Sequence, residues 1–176
     1  RPAFYALPGA KWWHDYINLL HLPYTLWHMA YVVLGAGVAP TVHVDRLLGT
    51  LLAFFLAVGI ASHALDELND RPLGTKIPPF VLVSLAVVSL VGAVALGILA
   101  GILESQWIFA FVAFGAFIAV FYNLGLWQNR FHSDLWFAFS WGTFPVFTSY
   151  WVCASRLDVA VVIVAVGCFF LTLAQR

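Results

Sequence analysis

Charge is what this sequence has least of. Only 9% of its 176 residues are Asp, Glu, Lys or Arg, against about 25% in an ordinary soluble domain. Eight acids and eight bases cannot cover a water-facing surface on a chain this long. That excludes a soluble globular fold, and also a disordered chain, which depends on charge for its solvation. The two signs cancel to a net charge of zero, so no basic face awaits a nucleic acid or another polyanion. Cysteine is nearly absent too. Cys153 and Cys168 both lie in apolar runs and read as small buried hydrophobes, so a secreted disulfide scaffold is excluded. In place of charge stand hydrophobic residues at 63% and aromatics at 17%, with a mean hydropathy of +0.94. The class that remains is an integral membrane protein.

A membrane-crossing helix needs roughly 20 apolar residues. Six runs approach that length: Leu22–Ala39, Leu47–Leu65, Phe80–Leu103, Trp107–Leu126, Leu135–Ala154 and Val159–Ala174, none containing Asp, Glu, Lys or Arg. They do not alternate with period two, which excludes a β-barrel. The expected fold is all-α, a polytopic bundle of six transmembrane helices forming a single domain over 1–176. Arg1 stands where Met would begin a chain, and the short sixth run stops at Gln175-Arg176. Both ends therefore read as cut from a longer protein.

Six spans place the loops alternately on two sides. Arg1, Lys11, Arg71, Lys76, Arg130 and Arg176 share one side, and Arg46 and Arg156 the other. Cations gather on the cytoplasmic side, so the N-terminus and the second and fourth loops are expected there. Those two loops are the longer and more polar ones, which makes them the expected place for chemistry.

The densest polar cluster runs from Ser62 through His63, Asp66, Glu67, Asp70, Arg71 and Pro72 to Lys76. On a helix, Asp66 and Asp70 share one face. Two carboxylates stacked this way repel unless a cation lies between them. Hard oxygen donors of this kind suit Mg²⁺, which keeps waters and bridges to phosphate oxygens. Arg71 and Lys76 follow at once and are placed to clamp the same phosphates. Pro72 ends the helix and Gly74 permits a tight turn.

These residues resemble the first aspartate-rich motif of the UbiA-type intramembrane prenyltransferases. That motif reads Asn-Asp-x-x-Asp-x-x-x-Asp and is followed by Arg-Pro. Asp66, Asp70 and Arg71-Pro72 fall on it, while Ser62 and His63 replace its first Asn-Asp. The segment Leu20-His21-Leu22-Pro23-Tyr24-Thr25 resembles the opening of the family's first span, with His21 where Arg is usual. Phe121-Tyr122-Asn123 resembles its fourth-to-fifth helix region, where Tyr122 fits and Leu126 takes the place of a Lys, leaving Arg130 as the nearest cation. The family has nine transmembrane helices and a second aspartate-rich motif after the sixth, so the resemblance spans about two-thirds of that architecture.

The resemblance implies a prenyltransferase that moves a prenyl group from an isoprenoid diphosphate to a lipophilic or aromatic acceptor. Asp66 and Asp70 would hold Mg²⁺, with Glu67 as an auxiliary ligand. Arg71, Lys76 and Arg130 would bind the diphosphate. His21, Ser62, His63, Tyr122 and Asn123 would line the substrate pocket, and aromatic faces would shelter an allylic cation. The expected cavity is central, apolar and open on the cytoplasmic side.

Two rivals stand beside this reading. One is a degenerate, non-catalytic relative that binds lipid, suggested by the missing Asn-Asp pair. The other is a haem protein, suggested by His14, His21 and His28 at seven-residue spacing together with His63. Among the remaining polar residues, Asp134 reads as a helix cap, Pro145 as a kink, and Gly35, Gly37, Gly92, Gly97 and Gly115 as close-approach sites between helices.

Overall fold

The computed structural model describes residues 4–7 and 11–176. All regular structure among them is helical. The elements are α1 (Trp12–Leu19), α2 (Leu22–Gly37), α3 (Val44–Phe54), a π-helical stretch Phe55–Ser62, α4 (His63–Asn69), α5 (Pro79–Leu103), α6 (Ile108–Asn123), α7 (Asp134–Phe137), a second π-helical stretch Ala138–Thr143, α8 (Phe144–Ala154) and α9 (Val159–Gln175). Elements α3 to α4 run on as one helix, Val44–Asn69, and α7 to α8 follow each other without a break.

Local chemistry sets the ends. Asp158 caps α9 by accepting hydrogen bonds from the Ala160 and Val161 amides at 3.0 and 3.4 Å. Ser133 caps α7 by accepting from the Trp136 amide. Asp134, expected as the cap, is the next residue and is free for another use. Pro78 and Pro79 start α5, where a missing amide hydrogen costs nothing. Asp70 closes α4, its amide donating to Asp66 O at 3.1 Å.

Val44–Asn69 and Pro79–Leu103 are long and apolar enough to cross a membrane, while Ile108–Asn123 and Val159–Gln175 are apolar but shorter. The expectation of six spans is therefore not supported among the described residues: two helices have the length and apolarity to cross a membrane, and the other runs fall in shorter or interrupted helices. The run expected to reach Leu126 stops at Asn123, because Gly125 turns left-handed at φ 59°. The run expected over Leu47–Leu65 is longer than its apolar part and takes Asp45, Arg46, Asp66 and Glu67 into the helix. Apolar length marks what can be desolvated, whereas the helix continues until a backbone breaker arrives, here Pro72.

Close packing joins the helices. A Cβ on Gly35 of α2 would lie 2.2 Å from Ser149 Oγ and 2.3 Å from Val146 O on α8, so only glycine permits this approach. Gly97 does the same for α5 against Val112 of α6. Gly37, expected at such a contact, has nothing within 4 Å. Where apolar surroundings remove the hydrophobic drive, this kind of contact holds helices together. Buried clusters fill the interior: Leu19, Leu65, Ile77 and Leu82 at one end, and Tyr31, Val146, Tyr150 and Val161 between α2, α8 and α9. Cys153 and Cys168 are free and buried, as expected.

Pro145 marks the second π-helical stretch. It has no amide hydrogen for the carbonyl four residues back, that of Trp141. His28 of α2 meets that oxygen with its Nδ1 at 2.9 Å.

Candidate functional site

The acids sit where α4 ends. Asp66 is half-buried and Asp70 exposed, and neither carboxylate has a hydrogen-bond or ion-pair partner among the described residues. The loop after α6 comes to the same end of the bundle. His132 from that loop and Arg176 from the end of α9 lie within electrostatic reach of Asp66. A Cβ on Gly125 would stand 3.9 Å from Asn69 Nδ2. The two polar segments expected to share a face therefore meet.

Glu67 has a different task from the one expected. It is fully buried, with 0% of its surface exposed. Its Oε1 accepts from the Thr75 amide at 2.7 Å and the Thr75 hydroxyl at 2.8 Å, and its Oε2 accepts from the Leu73 amide at 3.0 Å. Three donors take three of the carboxylate's roughly four acceptor positions. The auxiliary-ligand expectation is corrected: Glu67 fastens the loop behind the acids.

Arg71 is drawn into the same loop. At φ 52°, it turns its Nη1 onto Thr75 O at 3.0 Å and Ile77 O at 2.9 Å. Lys76 lends its amide to Asp15 of α1 at 2.9 Å, and the residue itself is exposed. Arg130 is exposed and follows Trp127, Gln128 and Asn129, three residues in left-handed conformation at φ 53, 58 and 61°. Such backbone costs about 1–2 kcal/mol per residue without glycine. The expected diphosphate clamp of Arg71, Lys76 and Arg130 is thus dispersed, with one member committed to carbonyls.

The pocket residues divide. His21 and His63 stack face to face, their centroids 4.4 Å apart and their planes 18° from parallel. His63 Nδ1 also meets Gly59 O at 3.1 Å. Rings stacked on one another leave no gap for a macrocycle between them, which removes the geometric basis of the haem reading for this pair. His21 sits at φ 44° just before α2. Burial pushes its imidazole below the usual value, and the Glu67 carboxylate partly opposes this. Ser62 Oγ is buried without a partner. Asn123 bends its Nδ2 back onto Ala119 O of its own helix at 2.6 Å. Tyr122 is buried at 4% exposure, and its hydroxyl has no partner.

The residues that spacing did not reveal lie beside Tyr122. His132 stacks on its ring at 4.5 Å and holds the Tyr122 carbonyl through Nδ1 at 3.0 Å. Arg176 pairs its Nε with Asp134 at 2.9 Å and lies 5.0 Å over the Phe137 ring. Asp66, Asp134 and Arg176 lie within electrostatic reach of Tyr122. The sequence signal for this group is indirect, namely the parity that brings both polar loops to one side.

An apolar cavity of about 240 Å³ lies between α3, α5, α6 and α8. Ala57, Gly97, Ala119 and Trp141 line it, and Arg46 and Glu104 stand at its polar end. These two form an ion pair, and Arg46 also donates to Val152 O at 3.1 Å. Asp66 and Asp70 are not among its walls. The expectation of a hollow opening beside the acids is corrected: Leu19, Leu65, Ile77 and Leu82 close the bundle at that end, and the void has its polar end at the opposite one.

No group of three or more His, Cys, Asp or Glu placed to hold a metal occurs among the described residues. Asp66 and Asp70 therefore offer oxygen donors but no closed cage. Comparison with family models, curated proteins and solved structures finds no match for the chain.

Proposed function

We propose that the chain is an intramembrane prenyltransferase of the UbiA type, acting on an isoprenoid diphosphate and a lipophilic acceptor. The observation that carries this reading is the meeting of two partnerless carboxylates, Asp66 and Asp70, with the Tyr122–His132 segment at one end of an otherwise apolar helical bundle. A diphosphate head is compatible with that end, and a prenyl tail with the apolar helices.

The bundle is read as multi-pass, with Val44–Asn69 and Pro79–Leu103 crossing the bilayer and the shorter helices packed beside them. The acid end carries Lys11, Arg71, Lys76, Arg130 and Arg176, which favours its facing the cytoplasm. The donor set suits a Mg²⁺ ion that arrives with the diphosphate, since Mg²⁺ commonly uses one or two carboxylates plus phosphate oxygens. When bound, the ion would neutralise charge on the departing diphosphate. The chain's own part is to hold Asp66 and Asp70 at the α4 end, to keep the following loop fixed through Glu67, and to exclude water with the Leu19–Leu82 cluster.

The test is transfer from a radiolabelled isoprenoid diphosphate in reconstituted membranes, with and without Mg²⁺. Asp66→Ala and Asp70→Ala are each expected to lower turnover at least about a hundredfold while thermal unfolding stays unchanged. Full activity in either variant overturns the ligand assignment.

A second reading is favoured by a separate observation. Glu67 and Arg71 are spent on the loop, and His63 replaces a carboxylate. A non-catalytic relative that binds the lipid diphosphate without turnover has these features. Binding without product release in the same assay selects it.

A further inference from the structure

We infer that the apolar cavity between α3, α5, α6 and α8 is a binding site for one acyl chain of an ethanolamine phospholipid, whose zwitterionic head rests on Asp45, Arg46 and Glu104. The site is separate from the proposed diphosphate end and does not depend on that reading.

The void supplies the first observation. At roughly 30 Å³ for a group the size of a water, its volume of about 240 Å³ takes about eight such groups, which suits part of one acyl chain. Small residues make the space: Gly49, Ala53 and Ala57 line it from the continuous helix Val44–Asn69, and Ala93 and Ala100 from α5. The hydroxyls in its wall are spent, because Thr50 and Thr148 donate to Arg46 O and Phe144 O of their own helices, each at 2.8 Å. An apolar void of this kind stays dry and takes an apolar guest.

Access supplies the second. Leu99 and Leu103 of α5 line the cavity, yet they are 52% and 68% exposed. The void therefore reaches the outer surface of the bundle near its polar end, where a lipid chain can enter from the side. In the proposed orientation this is the leaflet opposite the acid cluster.

Charge identifies the head. Asp45, Arg46 and Glu104 all line the polar end. Arg46 pairs with Glu104 and donates to Val152 O. Asp45 is exposed and has no hydrogen-bond or ion-pair partner among the described residues. Two carboxylates against one guanidinium leave one negative charge over, so a free fatty acid or an anionic phospholipid is disfavoured. An ammonium answers the spare carboxylate, and the phosphate beside it lies against the guanidinium. Ethanolamine phospholipids carry both groups on one short head.

The experiment is native mass spectrometry of the purified, delipidated full chain in detergent. It is titrated in separate runs with dioleoyl phosphatidylethanolamine, dioleoyl phosphatidylglycerol and oleic acid. Wild type is expected to hold one ethanolamine lipid, with the two anionic probes about fivefold weaker. Asp45→Asn and Glu104→Gln should each narrow that preference to about twofold or less. Gly49→Leu plugs the cavity, since nothing lies within 4 Å of where a Cβ at this position would stand. It should weaken ethanolamine-lipid binding about tenfold or more, the worth of about two buried methylenes. Leucine in place of a helical glycine raises helix propensity, so the thermal midpoint should hold or rise, and lost binding then cannot come from unfolding. If Gly49→Leu holds the lipid as wild type does, the lipid lies on the outside of the bundle and the inference falls. It falls too if wild type holds no ethanolamine lipid, or holds the anionic probes as tightly. If farnesyl diphosphate displaces the lipid one for one, the cavity belongs to the proposed donor; the inference then falls while the prenyltransferase reading stands.

Discussion

Single side chains here do work that their type does not announce. Glu67 has the composition of a ligand and the geometry of a fastener, because its three donors are backbone and hydroxyl groups of residues 73 and 75. Glu67→Ala leaves those donors unpaired in a buried place, at a cost of about 1–3 kcal/mol or more. Hydrogen exchange of the amides over 70–77 should accelerate, while α8 and α9 keep their protection. His21 gives a pH signature. Burial lowers its pKa in the folded chain, so the unfolded chain binds the proton more readily. Its contribution to stability is present above the ordinary imidazole value of about 6.5 and is lost as the pH falls from there through the lowered value. Thermal midpoints measured from neutral to mildly acid pH should drop for wild type, and drop less for His21→Asn.

At the scale of elements, the second π-helical stretch finds a partner on another helix beside its proline. Pro145 denies Trp141 O its helical donor, and His28 supplies another from α2. His28→Ala should cost about 1–3 kcal/mol. In a Pro145→Ala background the restored amide can reach the carbonyl, and the same change should cost less. A double-mutant cycle by chemical unfolding in detergent should return a coupling of about 1 kcal/mol. Additive values would show that the histidine and the proline act independently. The contact of α2 with α8 also depends on Gly35, and nothing in the run Leu22–Ala39 singles that glycine out from Gly37. Which one lies under α8 is decided by the rotation of the helix about its axis.

For the molecule as a whole, the polar residues separate to two ends. The acid cluster, the α4–α5 loop, the turn after Asn123 and Arg176 lie at one. Arg46, Glu104 and the α8–α9 turn lie at the other. In the proposed orientation, single cysteines introduced by Lys76→Cys and Arg130→Cys should react with an impermeant thiol reagent from the cytoplasmic side of sealed vesicles. Arg156→Cys should react only from the opposite side. Reaction of Lys76→Cys and Arg130→Cys from different sides would break the site in two.

The sequence by itself determined the helical class, because long apolar runs without period-two alternation can satisfy their backbone only as helices. It also placed the acids at the end of one helix, Asp66 within α4 and Asp70 just after it, since Pro72 close behind is a local stop signal. Tertiary structure alone decided that Glu67 turns to Thr75, that Arg176 reaches Asp134, and that the cavity has its polar end away from the acids. These are relations between residues far apart in the chain. Helix rotation, helix length and packing set them, and no pattern of neighbours along the chain encodes those distances one residue at a time.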